Sequence, residues 1–305
     1  MRLLLNVVFV LLLLSPCQAK KRKLELNLSK GVTYSQRLIN TVSTVETLNG
    51  QQVRMNISTA ARIKYKVIDF QNSIYDLDVR YDSLSLKMSS PVVNVEFNTD
   101  NLDAKAINSN ILGVLINKPF VVRLTKAGKI IEVKNFDYLF STMFDQFTQF
   151  DETQRTQIIG QLKQTYGEKQ FKTNLEKCLT IFPDLPVSAG SKWTISSQLD
   201  SGTATKMETA YQLKKINNST AVINGASKIS SVDKNAYIES NQIPMKYDLT
   251  GTMASKIKLH SKTGWIMDAS INQTITGTID IKENPLLPGG MKIPITVNNE
   301  MTITE

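Results

Sequence analysis

Asp76, Asp78 and Asp82 stand at even spacing. On a strand, where side chains alternate, that spacing puts them on one face. Paired carboxylates could serve glycoside hydrolysis or hold a calcium ion, and neither chemistry needs a histidine. Arg80 shares the alternation, and a charged strand face turned to water accounts for all four without special chemistry. His260 is the one histidine and precedes the turn Ser261-Lys262-Thr263-Gly264, where solvent exposure is the expectation. A Ser-His-Asp triad needs its histidine buried against a carboxylate and a serine, and the sequence has no Gly-x-Ser-x-Gly elbow. With two cysteines, Cys17 and Cys178, and one histidine, no Cys/His zinc set can be assembled. Neither EF-hand, Walker loop nor dinucleotide fingerprint is present, so neither cofactor nor metal is expected.

The residues that best suggest a site are apolar. Phe136, Leu139, Phe140, Met143, Phe144 and Phe147 fall at i, i+3, i+4, i+7, i+8 and i+11, one continuous face on a helix of about three turns. Such a wall could line a cavity for an acyl chain, or simply fill the core beneath a sheet. Leu286 and Leu287, in the Pro/Gly-rich stretch Glu283–Pro294, could gate that cavity or tuck into a turn. Two more helices should follow. Asp151, with Gln154 three residues on, is a plausible cap for the first, and Phe171, Leu175, Cys178 and Leu179 stripe the second. That stripe predicts a buried Cys178.

Flanking these helices, both arms of the chain carry strand-like runs rich in Val, Ile, Thr and Tyr, with Asn49-Gly50 as a hairpin signal. The stretches Tyr65–Val79 and Tyr211–Gly225 share a leading Tyr, a central Asn-Ser and matching apolar positions. Gly31 to Tyr34 precedes the first as Gly190 to Trp193 precedes the second, and the Gly128 and Gly264 turns follow in the same order. The pattern predicts an α+β fold, mainly antiparallel β, with two related, half-barrel-like curved β-units and a central helical segment on their concave side. The divisions are a signal peptide over 1–19, a first β-unit over 20–134, a helical segment over 135–182 and a second β-unit over 183–305.

The export expectation rests on Met1-Arg2, the apolar run Leu3–Leu14 and the small-x-small site Cys17-Gln18-Ala19. The run is shorter than the roughly 20 residues a membrane span requires. Periplasmic or secreted localisation follows. Leu14-Ser15-Pro16-Cys17 also resembles a lipoprotein box that would anchor the protein through Cys17, although Pro16 sits where such boxes want a small residue. The net charge is +9, and Lys20, Lys21, Arg22 and Lys23 form a basic cluster that is either a disordered tail or a peripheral contact with anionic membrane. No basic stripe interleaved with aromatics exists elsewhere, so nucleic acid is not an expected partner.

Gly128-Lys-Ile-Ile, Asn135-Phe136 and Pro183-Asp-Leu-Pro186-Val187-Ser-Ala-Gly190-Ser-Lys-Trp193 together resemble the uncharacterised exported-protein families common in Bacteroidota envelopes. That resemblance implies a domain of unknown function and supplies no active-site residues. By fold analogy alone, a curved sheet with internal helices is similar to periplasmic carriers of the LolA type. The expected function is a non-enzymatic envelope protein binding a lipid or an acylated lipoprotein partner between sheet and helices. The alternatives are a structural or adhesion-type protein that engages an envelope protein or glycan, and a carboxylate-dependent hydrolase.

Overall fold

Asn72 and Ser73 both take positive φ, 51° and 63°, as a two-residue type I′ hairpin requires. Their turn joins β2 (Gln51–Gln71) to β3 (Ile74–Ser89), and Asn49-Gly50 joins β1 (Thr33–Leu48) to β2 in the same manner. The computed structural model describes residues 21–100, 107–145, 147, 149–199, 205–240, 243–285 and 287–305, with the backbone alone at 107–109, 199 and 240. The chain continues through β4 (Asn94–Asn98), α1 (Ile107–Gly113), β5 (Phe120–Thr125), β6 (Ile130–Lys134), α2 (Tyr138–Ser141), α3 (Glu152–Tyr166) and α4 (Glu168–Leu179). It ends with β7 (Lys192–Leu199), β8 (Thr205–Ile216), β9 (Thr220–Ser231), β10 (Tyr237–Ser240), β11 (Ile243–His260), β12 (Ile266–Ile281) and β13 (Met291–Thr304).

These strands correct the expected fold class. The protein is mainly antiparallel β in one open sheet, ordered β6-β5-β3-β2-β1-β13-β12-β11-β9-β8-β7, with β4 on β3 and β10 on β11. It is not an α+β fold with a helical layer between two β-units. The reason is β13, which pairs with β12 on one side and with β1, from Arg37↔Thr304 to Glu46↔Ile295, on the other. Without it, two long strands would each leave a row of unsatisfied main-chain groups. Tyr65–Val79 and Tyr211–Gly225 are both hairpins whose end residues face each other across the ladder, and Tyr65 and Tyr211 both point into the core.

The sheet curls strongly. The Leu26 amide donates to the Lys126 carbonyl in the β5–β6 turn, and the next amide, Asn27, donates to the Thr263 carbonyl in the β11–β12 turn, each at 2.8 Å. Consecutive amides are less than about 3.8 Å apart, so the two carbonyls lie within roughly 10 Å. In a flat sheet the intervening strands, at about 4.8 Å each, would separate those turns by at least roughly 24 Å. The segment carrying these amides is a strap of buried Leu24, Leu26 and Leu28. Tyr75 fixes it by donating its hydroxyl to Leu26 O and accepting from the Leu28 amide. Trp265, beside the second turn, packs against the rings of Tyr34 and Tyr65.

The helices fill the inner side. Asp151 and Gln154 make the expected capping box at the start of α3, and α4 buries Phe171, Leu175, Cys178 and Leu179 as the stripe predicts. The helix of three turns expected over 136–147 is not formed. Among the described residues of that span only Tyr138–Ser141 is helical, and separate i→i+3 turns occur around it, such as Met143 N–H to Phe140 O and Phe147 N–H to Phe144 O. Successive tight turns return a side chain to the same side every three or four residues, so the apolar period survives without a continuous helix.

Two substitutions test this architecture. Gly128 has φ +80°, and a Cβ there would overlap the Leu179 carbonyl, whereas Gly50 has the same φ and nothing within 4 Å. Gly50→Ala should therefore cost only the left-handed backbone penalty, about 1–2 kcal/mol, and Gly128→Ala clearly more, read as a larger fall in Tm. Equal losses would show that the α4 end yields freely. Leu26→Ala should cost about 2–5 kcal/mol in denaturant unfolding, as a fully buried leucine does. No measurable change would show that the strap is not part of the cooperative unit.

Candidate functional site

Five of the apolar residues singled out in the sequence form core. Phe136, Leu139, Phe140, Met143 and Phe144 are buried. The Phe136 ring meets Phe120 and Phe171 at 4.8 and 5.9 Å between centroids. Phe147 is half-buried and borders an open surface depression with Lys118, Tyr138 and Asp145. Leu287 is half-buried in the β12–β13 connection, where it exchanges backbone hydrogen bonds with Asn284. Leu286 lies outside the described residues, as do 1–20, on which the expected signal peptide, Cys17 and Lys20 fall.

The titratable candidates are committed to partners. Asp76 pairs with Arg123 at 3.1 Å, Asp78 with Arg80 at 2.8 Å and Asp82 with Lys64 at 2.8 Å. His260 Nε2 lies 2.8 Å from Glu305 Oε2 at a solvent-exposed edge. Part of the basic cluster is docked. Arg22 forms a β-bridge with Val187 and donates from its guanidinium to Asn217 O and Asn218 Oδ1. Lys23 donates to Asp184 O, while Lys21 stays exposed. Burial pushes the Cys178 thiol up to about 12, so it stays protonated and unreactive.

A different place combines an apolar wall with convergent charge. The strands β6 and β7 lie at opposite ends of the sheet order, and the end of α4 lies between them. The Leu179 carbonyl rests on Gly128, and the Ile181 carbonyl accepts from Trp193 Nε1 at 2.9 Å. With its apolar stripe turned to Tyr81, Phe120 and Phe136, α4 presents its opposite stripe to the inner face of β7 and β8. Between them is a cleft of about 640 Å³. Its strand wall is Ile195, Ser197, Met207, Thr209 and Tyr211, the inward members of two alternating strands. The Thr209 and Ser227 hydroxyls pair at 2.8 Å beneath it. Burial pushes the Tyr211 hydroxyl up to about 12, despite a hydrogen bond with Thr209 that works the other way.

The helix wall carries Glu168, Lys169, Lys172, Glu176 and Lys177, and Lys129 joins them from the β5–β6 turn. Lys172 and Lys177 are half-buried and Lys129 is exposed. Burial holds the Lys177 ammonium below the ordinary lysine range, an effect that neighbouring Cys178 partly offsets. The charged stripe of α4 is plain in the sequence, but the rule for amphipathic helices sends such a face to water. A second concavity, of about 740 Å³, lies on the opposite face of the sheet over Ala210, Ala226, Ala254 and Asn272. Unlike that concavity, the α4 cleft sets one element against another, with charge on one wall and apolar groups on the other.

Comparison with curated proteins finds no match. Among solved structures, the chain is similar to lipovitellin, from a study of its lipid–protein interactions, at 10% identity and a TM-score of 0.44. That alignment covers 91% of this chain and 25% of lipovitellin, so the chain spans about a quarter of that protein's length. An outer membrane channel from Pseudomonas putida F1 aligns at 8% identity over 91% of this chain and 97% of its own, with a TM-score of 0.23. OmpF of Salmonella typhi, in complex with daunomycin, also gives 8% identity and a TM-score of 0.23, over 91% and 99% of the two chains. Scores this low carry neither ligand nor location across. A model described as a family of unknown function (DUF6263) matches residues 72–266; that span holds every residue lining the α4 cleft, and the chain belongs to this family.

Proposed function

We propose that this protein is a non-enzymatic exported envelope protein that holds a hydrophobic or acylated ligand between α4 and the inner face of β7–β8. The observation that carries the reading is the strand wall. Ile195, Met207 and Tyr211 continue the core's inward face, yet α4 meets them across a cleft with its charged side. The volume of about 640 Å³ falls within the range of about 300–1,000 Å³ typical of small-molecule sites. A binding role also suits the polar residues, since Asp76, Asp78 and Asp82 are tied up in ion pairs and His260 is held by Glu305. Export belongs to the proposal through the apolar run Leu3–Leu14 and the Cys17-Gln18-Ala19 site.

The test uses N-phenyl-1-naphthylamine, a neutral dye that brightens in apolar sites. The purified protein should bind it saturably, and Met207→Glu, which puts a carboxylate on the strand wall, should weaken binding by about tenfold or more while circular dichroism stays unchanged. Native mass spectrometry of protein from its own envelope should show an organic-extractable adduct that the variant loses. A protein that binds no dye and carries no adduct would rule the reading out and favour an interaction surface.

A further inference from the structure

Taking the cleft as the ligand site, we infer that its ligand is an anionic amphiphile whose acidic headgroup, a carboxylate or phosphate, is held by Lys172 and Lys177 of α4. The charge balance points this way. Leaving aside Lys169, which is engaged in an interaction of its own, three lysines (Lys129, Lys172, Lys177) and two glutamates (Glu168, Glu176) line the cleft. No carboxylate among the described residues stands within ion-pair distance of Lys129, Lys172 or Lys177. The cleft thus holds an excess of positive charge facing an apolar wall.

Lys172 has Glu168 and Glu176 one helical turn away but neither within ion-pair distance, and Lys177 has no carboxylate that close. Each therefore bears the cost of losing part of its hydration without a direct ion pair in return. The depressed ionisation of Lys177 reflects that cost. An arriving acidic headgroup would supply the missing counter-charge, while the attached chain lies along Ile195, Met207 and Tyr211. A neutral lipid would satisfy the strand wall and leave both ammonium groups as they are. Selection for an anion therefore comes from α4, and general affinity for a chain comes from β7 and β8. The two contributions are separable by mutation.

Displacement of N-phenyl-1-naphthylamine by hexadecanoate, hexadecyl phosphate and hexadecanol, each below its micellar concentration, separates them. In the unaltered protein at least one of the two anions should compete about tenfold better than the alcohol, as a charge-assisted contact gives, and the better anion identifies the headgroup. Lys177→Met and Lys172→Met should each reduce that preference, and the double variant should abolish it, with hexadecanol competing as before. An alcohol that competes as well as both anions would overturn the headgroup inference and leave the cleft reading intact. A preference that survives the double variant would overturn the assignment to these lysines. Failure of all three to displace bound dye would overturn the inference together with the reading it rests on.

Discussion

Two neighbouring amides hold the shape of this protein. Leu26 and Asn27 take the carbonyls of two turns that a flat sheet would keep far apart, and the sheet curls to meet them. The strap is therefore a structural member, and its buried leucines and the Tyr75 hydroxyl fix where the curl ends. A curled sheet with one apolar face needs filling, and the strap, α1 and the segment between β6 and β7 supply it. Phe136 and Phe171 pack on Phe120, and Phe171 also meets Tyr81, on the paired strands β5 and β3, while Phe140 packs behind Phe136.

The fill is uneven, and the unevenness locates the cleft. On the side of β3 and β5 the helices meet the strands ring against ring, with Tyr166 bonded to the Ser85 carbonyl of β3. On the side of β7–β8, α4 turns lysines and glutamates toward Met207 and Tyr211 and leaves a gap. An amphipathic helix has one apolar stripe, and α4 spends it on the first side. Closing the gap would press half-hydrated ammonium groups onto an apolar wall without counter-ions, which costs more than a solvated cleft does.

Much of the local structure was legible in the sequence because its causes are local. The Asn49-Gly50 turn, the Asp151/Gln154 box and the stripe through Cys178 each follow from steric or hydrogen-bonding rules within a few residues. The likeness of Tyr65–Val79 to Tyr211–Gly225 is accounted for at the level of two hairpins, each with an inward tyrosine and an Asn-bearing turn. The single sheet was not legible, because pairing of β1 with β13 joins residues from 249 to 267 positions apart and leaves no nearby signature. Strand β10 and the first half of β11 also carry little signal. Pro244, Gly251 and the short span of β10 weaken the alternation there. Over 136–147 the period was right and the helix was wrong, since isolated turns satisfy the same spacing. The cleft was hidden for a related reason: its charged wall looks like any solvated helix face until the position of β7 is known.

The location of the cleft follows from the topology as much as from its residues. A closed barrel would bond its last strand to its first and leave no seam. Here the order ends at β6 and β7, and a helix end occupies the seam through carbonyl contacts to Gly128 and Trp193. A helix satisfies its own backbone internally, so it can stand beside strands without extending their ladder. Its side chains must still face both ways, toward the filled half and toward the other edge. An apolar stripe can meet only the first demand, and the charged stripe then lines whatever space remains. A polar-walled interior cleft is thus a direct consequence of closing a seam with an amphipathic helix instead of a strand, and the choice of lysine at 172 and 177 decides which charge that space receives.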